Sequence, residues 1–135
     1  MVFGTFDIIH GGHIHMFKQA REYGEKLIVV VARDVNVEKI KGIGSLHTEE
    51  ERQEFLKHID LIDQVILGDD TDPYKCIKEI CPDIIALGYD QKAYVDNLEE
   101  ELMKCNFDCR VVKLSPYQEK RLKGSKIRKY IERLV

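Results

Sequence analysis

The sequence predicts an α/β protein: a doubly wound, Rossmann-like sandwich around a parallel sheet of about five strands. Three observations carry this. Short runs rich in Val, Ile and Leu recur along the chain, segments with helical spacing separate them, and the first run ends in a glycine-containing turn that opens into a helix. At 135 residues the chain is the size of one domain, residues 1–135, with no internal repeat or low-complexity linker.

Val2 and Phe3 end the first strand, and Gly4 and Thr5 turn out of it. Residues 12–23 then have helical spacing, with Met16, Phe17, Ala20 and Tyr23 on one side and Lys18, Arg21 and Glu22 on the other. Residues 26–32 (Lys-Leu-Ile-Val-Val-Val-Ala) form the continuous run expected of a strand buried on both faces of a parallel sheet. Residues 64–67, 83–87 and 110–114 repeat that theme, with helical segments at 48–58, 73–80, 95–105 and 125–134, so strand and helix alternate strictly. Thr48 and Glu51 start one of these helices as a capping box. The stretch Ile40-Lys41-Gly42-Ile43-Gly44 reads as a loop, either an ordinary connection or a lid that closes over a bound anion.

Lys and Arg number 21 against 24 Asp and Glu, so no charge excess points to nucleic acid or to a membrane surface. No apolar run approaches the roughly twenty residues of a membrane span, and there is no charged-then-apolar leader; a cytoplasmic protein is expected. Cys76, Cys81, Cys105 and Cys109 form no Cys-x-x-Cys pair and read as buried free thiols in a reducing compartment.

The chemistry concentrates at residues 4–13, Gly-Thr-Phe-Asp-Ile-Ile-His-Gly-Gly-His. His10 and His13 fall at the N-terminal turn of the first helix, where unpaired amides and the helix dipole favour an anion. Two imidazoles there would be donors to phosphate oxygens and could stabilise charge that builds on a phosphoryl group under attack. Gly11 and Gly12 let phosphates approach the backbone closely. The same spacing, extended by His15 with Asp7 beside it, also fits a metal. Against that reading, the Gly-Thr-Phe turn is not needed by a metal site, and His15 points away from His13 on a helix. A third reading leaves the histidines as caps and packing groups. Open parallel sheets bind ligands beyond the carboxyl ends of their strands. There the second run ends in Ala32-Arg33-Asp34, the fourth in Gly88-Tyr89-Asp90-Gln91 and the fifth in Ser115-Pro116-Tyr117.

Gly-Thr-Phe-Asp followed by His-x-Gly-His resembles the signature of the nucleotidyltransferase superfamily that includes cytidylyltransferases, pantetheine-phosphate adenylyltransferase and archaeal FAD synthases. The resemblance implies that His10 and His13 contact the triphosphate. It also implies that the acceptor's phosphate attacks the α-phosphorus in line, expelling pyrophosphate with no covalent enzyme intermediate. The superfamily commonly places an arginine in the helix after the capping box, which implies Arg52 as a phosphate ligand; a surface ion pair is the other reading. Leu122-Lys-Gly-Ser-Lys-Ile-Arg128 resembles the superfamily's Ile-Ser-(Ser/Thr)-Thr-x-Ile-(Arg/Lys) motif. Ser125 takes the place of its threonine, and Lys123 and Gly124 replace its preceding hydroxyl residues. Ser125, Lys126 and Arg128 are thereby implied to hold phosphate oxygens, unless they belong to a solvated basic face.

Residues 31–34 (Val-Ala-Arg-Asp), Lys41-Gly42, residues 50–53 (Glu-Glu-Arg-Gln) and residues 82–91 together look most like archaeal FAD synthases. That likeness implies FMN and ATP as substrates and FAD and pyrophosphate as products. It further implies Mg²⁺ or another divalent metal carried by the triphosphate rather than by protein ligands. Thr5, Phe6, His10, His13, Asp90 and Tyr117 are implied to contact ATP. Gly11 stands where those enzymes usually carry proline, and family members generally have several more residues before the first turn. Two other functions stay open: transfer of a cytidylyl group to glycerol-3-phosphate or a similar acceptor, and a nucleotide-binding domain without catalysis, against which both histidines speak. A homodimer is common in the superfamily.

Overall fold

The computed structural model describes residues 1–118 and 120–135, with the backbone alone for residues 92–96. Five parallel strands, β1 (Val2–Gly4), β2 (Ile28–Val31), β3 (Gln64–Leu67), β4 (Ile84–Leu87) and β5 (Arg110–Lys113), pair in the order β3-β2-β1-β4-β5. In β2 the side chains alternate between two cores, as the pleat requires. Val29 and Val31 pack with Phe17 and Ala20 of α1 (Gly11–Arg21) and Leu56 of α3 (Glu49–Lys57). Val30 packs on the opposite face with Cys76 and Ile77 of α4 (Lys75–Ile80) and Leu98 of α5 (Lys92–Met103). Both faces are thus covered, which explains why the strands read as unbroken apolar runs rather than alternating ones. No helix among the described residues is long and apolar enough to cross a membrane.

The strand order turns the chain outward from β1 through β2 to β3, then outward from β4 to β5 on the other side. The loops that leave β1 and β4 therefore diverge, and a crevice opens between them at the carboxyl ends of the strands. α6 (Gly124–Leu134) follows β5 and brings its N-terminus to that crevice.

Three expectations are corrected. Strand and helix do not alternate strictly, because α2 (Asp34–Lys41) precedes α3 between β2 and β3, and Ile40 and Lys41 form its last turn rather than a loop. α2 is short and buries only Val37, so its apolar period has a single anchor. Its ends are instead fixed by tertiary contacts and by backbone geometry. Asp34 N donates to Glu49 Oε2 (2.6 Å) and Glu49 N to Asp34 Oδ2 (3.1 Å), so the first residues of α2 and α3 cap each other. Gly42, at φ +69°, ends α2 in the left-handed conformation that glycine adopts without strain. Tyr23 lies beyond the end of α1 and is 39 % exposed, with the Arg110 guanidinium over its ring, rather than on the core side. Of the four cysteines only Cys76 is buried, and burial pushes its thiol up to about 11; Cys81 is exposed at the left-handed C-cap of α4, and Cys105 and Cys109 are half-buried.

Gly4 shows how tightly the first turn is packed. A Cβ there would lie 2.7 Å from Phe6 Cζ, and the Phe6 ring cannot retreat, being wedged between Phe17 (5.5 Å between centroids) and His13 (5.3 Å). Gly4→Ala is expected to destabilise the protein by about 1–3 kcal/mol, seen as a lower urea midpoint without a change in slope.

Candidate active site

A cleft of about 870 Å³ runs along the carboxyl ends of the strands, and the segments that follow all five of them border it. That volume is near the upper end of single small-molecule sites, which leaves room for two substrates.

The centre of the cleft is the turn from β1 into α1. Phe6 takes a positive φ of 54°, unusual for a side chain of its size, and this drops its ring into the core while the chain climbs to the helix. His10 is the N-cap of α1: its Nδ1 accepts from Gly12 N (3.1 Å), and His13 Nδ1 accepts in return from His10 N (3.3 Å). The two histidines thus form a reciprocal capping box, a role usually given to Ser or Thr paired with Glu or Gln. A Cβ on Gly12 would stand 2.8 Å from His10 Cε1, so the cap requires glycine there.

This geometry fixes the protonation of both rings. An Nδ1 that accepts an amide hydrogen carries no proton of its own, so each neutral imidazole presents Nε2–H as a donor. The rings stack 3.9 Å apart, which disfavours charging both. Burial lowers the His10 pKa, and burial, then His10, then Lys41 push His13 down to about 3. The pair is therefore two neutral donors at neutral pH.

The sign of the pH effect follows. With folded pKa values below the unfolded value of about 6.5, the unfolded chain binds more protons under pH 6.5, so stability is lost as the pH falls toward 3. Between pH 7.5 and 5.5 the His13 contribution is expected to cost about 1 kcal/mol. His13→Phe should remove that part of the slope, measured by urea denaturation at the two pH values.

Asp7 ties three segments together. Its carboxylate accepts from Leu46 N (2.8 Å), His47 N (2.9 Å) and Arg128 Nη2, linking the β1 turn to the loop before α3 and to α6. Burial pushes its carboxyl up, but these amides and the Arg128 guanidinium more than offset that and hold it below the usual carboxylate range. Lys41 also lines the cleft, its ammonium lowered by burial and by Arg128. The ammonium, the Arg128 guanidinium and the N-terminus of α6, which has no side-chain cap, line the cleft with the histidines, and the carboxylates of Asp7 and Asp90 stand among them.

The amides of two glutamines fix the far walls. Gln91 joins β4 to β1, donating to Phe3 O (2.6 Å) and accepting from Gly88 N (2.7 Å). Gln19 joins α1 to the segment after β5 through Ser115 O (3.0 Å) and Ser115 N (2.9 Å). Asp90 lies 3.7 Å from Lys123 Nζ, and Tyr117 stacks on His15 at 4.8 Å.

Of the residues singled out from sequence, Thr5, Phe6, His10, Gly12 and His13 border this cleft, as do Asp90, Tyr117, Ser125 and Arg128. Three do not. Gly11 is exposed and off the lining, where a Cβ would stand 3.3 Å from Leu122 Cδ1 and 3.6 Å from Tyr117 Cε1. Lys126 is exposed and off the lining, because Ser125 and Arg128 share a helix face at a spacing of three and Lys126 does not. Arg52 is 0 % exposed beneath the site, where its guanidinium donates to Thr5 O (2.7 Å), Asp34 Oδ1 (2.6 Å) and His47 O (3.2 Å). It braces the β1 turn instead of reaching into the cleft. Among the described residues no three His, Cys, Asp or Glu side chains gather as a metal cage. Sequence reasoning missed the bracing roles of Asp7, Gln19 and Gln91; side chains that read a distant neighbour's backbone leave no periodic signal.

The family described as cytidylyltransferase-like matches residues 1–130. A relative from Thermococcus sibiricus named FAD synthase is 42 % identical over 133 residues, covering 98 % of this chain and 88 % of its own. Another of that name from Archaeoglobus fulgidus is 43 % identical over 136 residues, covering 100 % of this chain and 96 % of its own. Among solved structures, a lipopolysaccharide core biosynthesis protein from Thermoplasma volcanium superposes with a TM-score of 0.80 at 37 % identity, covering 87 % of this chain and 96 % of that one. With its parallel five-stranded sheet, its histidine-capped first helix and this match over nearly its whole length, the chain belongs to the cytidylyltransferase-like family.

Proposed function

We propose that this protein is an FAD synthase that transfers AMP from ATP to FMN and releases pyrophosphate. The relatives' name supports the substrates; the observation that carries the reaction type is the histidine capping box, which spends both Nδ1 atoms on the backbone and leaves two neutral N–H donors on residues that border the cleft. In the reaction an oxygen of the FMN phosphate forms a bond to the α-phosphorus of ATP while the bond from that phosphorus to the β-bridging oxygen breaks. The electron pair leaves with pyrophosphate. His10 and His13 donate through Nε2–H to the non-bridging α-phosphoryl oxygens, whose charge rises at the transition state. Ser125, the α6 amides, Arg128 and Lys41 hold the leaving pyrophosphate. No general base is needed, because a phosphomonoester with a second pKa near 6 is already ionised at neutral pH.

Asp7 spends its oxygens on two amides and Arg128, so the site suits a divalent cation held by the nucleotide's oxygens rather than by a carboxylate cage. Mg²⁺ bound in that way would add charge neutralisation on the triphosphate. The proposal includes a cytoplasmic location, where both substrates are available. It also includes a homodimer, for which the exposed Tyr130, Ile131 and Leu134 of α6 offer an apolar surface.

Pyrophosphate release from a matrix of nucleotides and acceptors with Mg²⁺ tests the reading. FMN with ATP is expected to give FAD and pyrophosphate together. Turnover only with CTP and glycerol-3-phosphate would instead make the protein a cytidylyltransferase, and silence in every combination would leave a nucleotide-binding module.

A further inference from the structure

The two ends of the cleft differ in chemistry. Toward β5 stand the N-terminus of α6, Arg128 and the Lys123–Asp90 pair. Toward β3 the lining sets the apolar groups Ile40, Pro73, Tyr74 and Val30 beside the polar Asn36, Asp69, Asp70 and Thr71. With strands about 4.8 Å apart, the β3 and β5 loops stand roughly 19 Å from each other across four strand spacings. In-line transfer places acceptor and leaving group on opposite sides of the α-phosphorus. The polyphosphate belongs at the end with the α6 amides, Arg128 and Lys123, away from the carboxylates of Asp69 and Asp70, so the acceptor's ring belongs at the β3 end beside Ile40, Pro73 and Tyr74.

The walls of that end come from α2 and from the loop after β3. Asn36 and Ile40 are four apart on α2 and so share a helix face. Ile40 is 77 % exposed, a large apolar side chain at the cleft mouth with no core role. Asn36 Nδ2 donates to Asp69 O (3.0 Å), which fixes the carboxamide and leaves its oxygen as an acceptor. In the loop after β3, Asp69 Oδ2 accepts from Thr71 N (3.0 Å) and Asp72 N (2.9 Å), which ties the turn to its own carboxylate.

We propose that Asn36, Ile40 and the loop of residues 69–74 form the slot for the isoalloxazine ring of FMN, with Asn36 Oδ1 accepting the flavin N3–H. The inference rests on the FAD synthase reading. The ring's apolar benzenoid part lies along Ile40, Pro73 and Tyr74, and its pyrimidine edge meets Asn36. A phosphorylated polyol without a ring would leave these apolar groups unused, so the slot selects a flavin over smaller acceptors.

The test begins with the wild-type protein making FAD, then compares Asn36→Leu and Ile40→Asp, the latter at a surface position where folding is undisturbed. Both are expected to raise the KM for FMN, and the Kd from FMN fluorescence titration without ATP, by about tenfold. The KM for ATP should stay within about twofold. N3-methyl-FMN should bind the wild type about tenfold more weakly than FMN, and Asn36→Leu with equal affinity to FMN. Unchanged FMN constants in both variants, or a rise in the ATP constant instead, would overturn the slot while leaving FAD synthesis standing. A wild type that makes no FAD would remove the underlying reading itself, before any variant is compared.

Discussion

His13→Ala is expected to lower turnover by about 10²–10³-fold while ATP binding changes by less than about tenfold. The reason lies in where the charge is. In the proposed mechanism the α6 amides, Arg128 and Lys41 hold the triphosphate in the ground state, and the histidines add little to that affinity. In that mechanism the α-phosphoryl oxygens gain charge at the transition state, where a neutral Nε2–H already in position would lower the barrier without reorganisation. His13 also accepts from His10 N, so alanine removes half of the capping box and costs about 1 kcal/mol of stability. A thermal melt beside the kinetics separates the two losses. A binding module would show the opposite pattern, with affinity alone reduced.

Arg52→Ala is expected to be the most destabilising single change near the site, by about 3 kcal/mol, or roughly 10 °C in melting temperature for a domain of this size. Truncation would leave the carbonyls of Thr5 and His47 and the carboxylate of Asp34 without the donors that Arg52 supplies. Asp34 is partly exposed and can regain water, which keeps the loss near the lower end for a buried ion pair. Lysine should not rescue it, because one ammonium cannot reproduce a three-way fork. An arginine that bound phosphate from the surface would behave differently: alanine there would raise the KM for ATP and leave the melting temperature unchanged.

These two residues mark how far the sequence could be read. The β1 turn and its histidines were legible because the information is local: a strand end, glycines and a helix start within ten residues. β3 was legible at the limits Gln64–Leu67, since a β-branched run between polar residues has sharp edges. α2 was not, because two turns with one buried residue carry almost no period, and its N-terminal contact comes from Glu49, fifteen positions on. The identity of Arg52 as a helix residue was legible, but its direction was not. A helical arginine reads as surface unless the partners below it are known, and here they come from β1, α2 and the loop before α3. Nor does the sequence reveal that Nδ1 of each histidine is spent on the backbone, and that detail decides what the rings can do chemically.

If His10 and His13 act as donors and never as nucleophiles, the adenylyl group moves once, straight from ATP to FMN. The stereochemical course at phosphorus shows whether it does, using ATP carrying a single chiral sulfur substitution on the α-phosphate and FMN as acceptor. One in-line displacement predicts inversion of configuration in the thio-FAD product. Retention would mean two displacements through an adenylylated enzyme, and would contradict the donor role of the histidine pair.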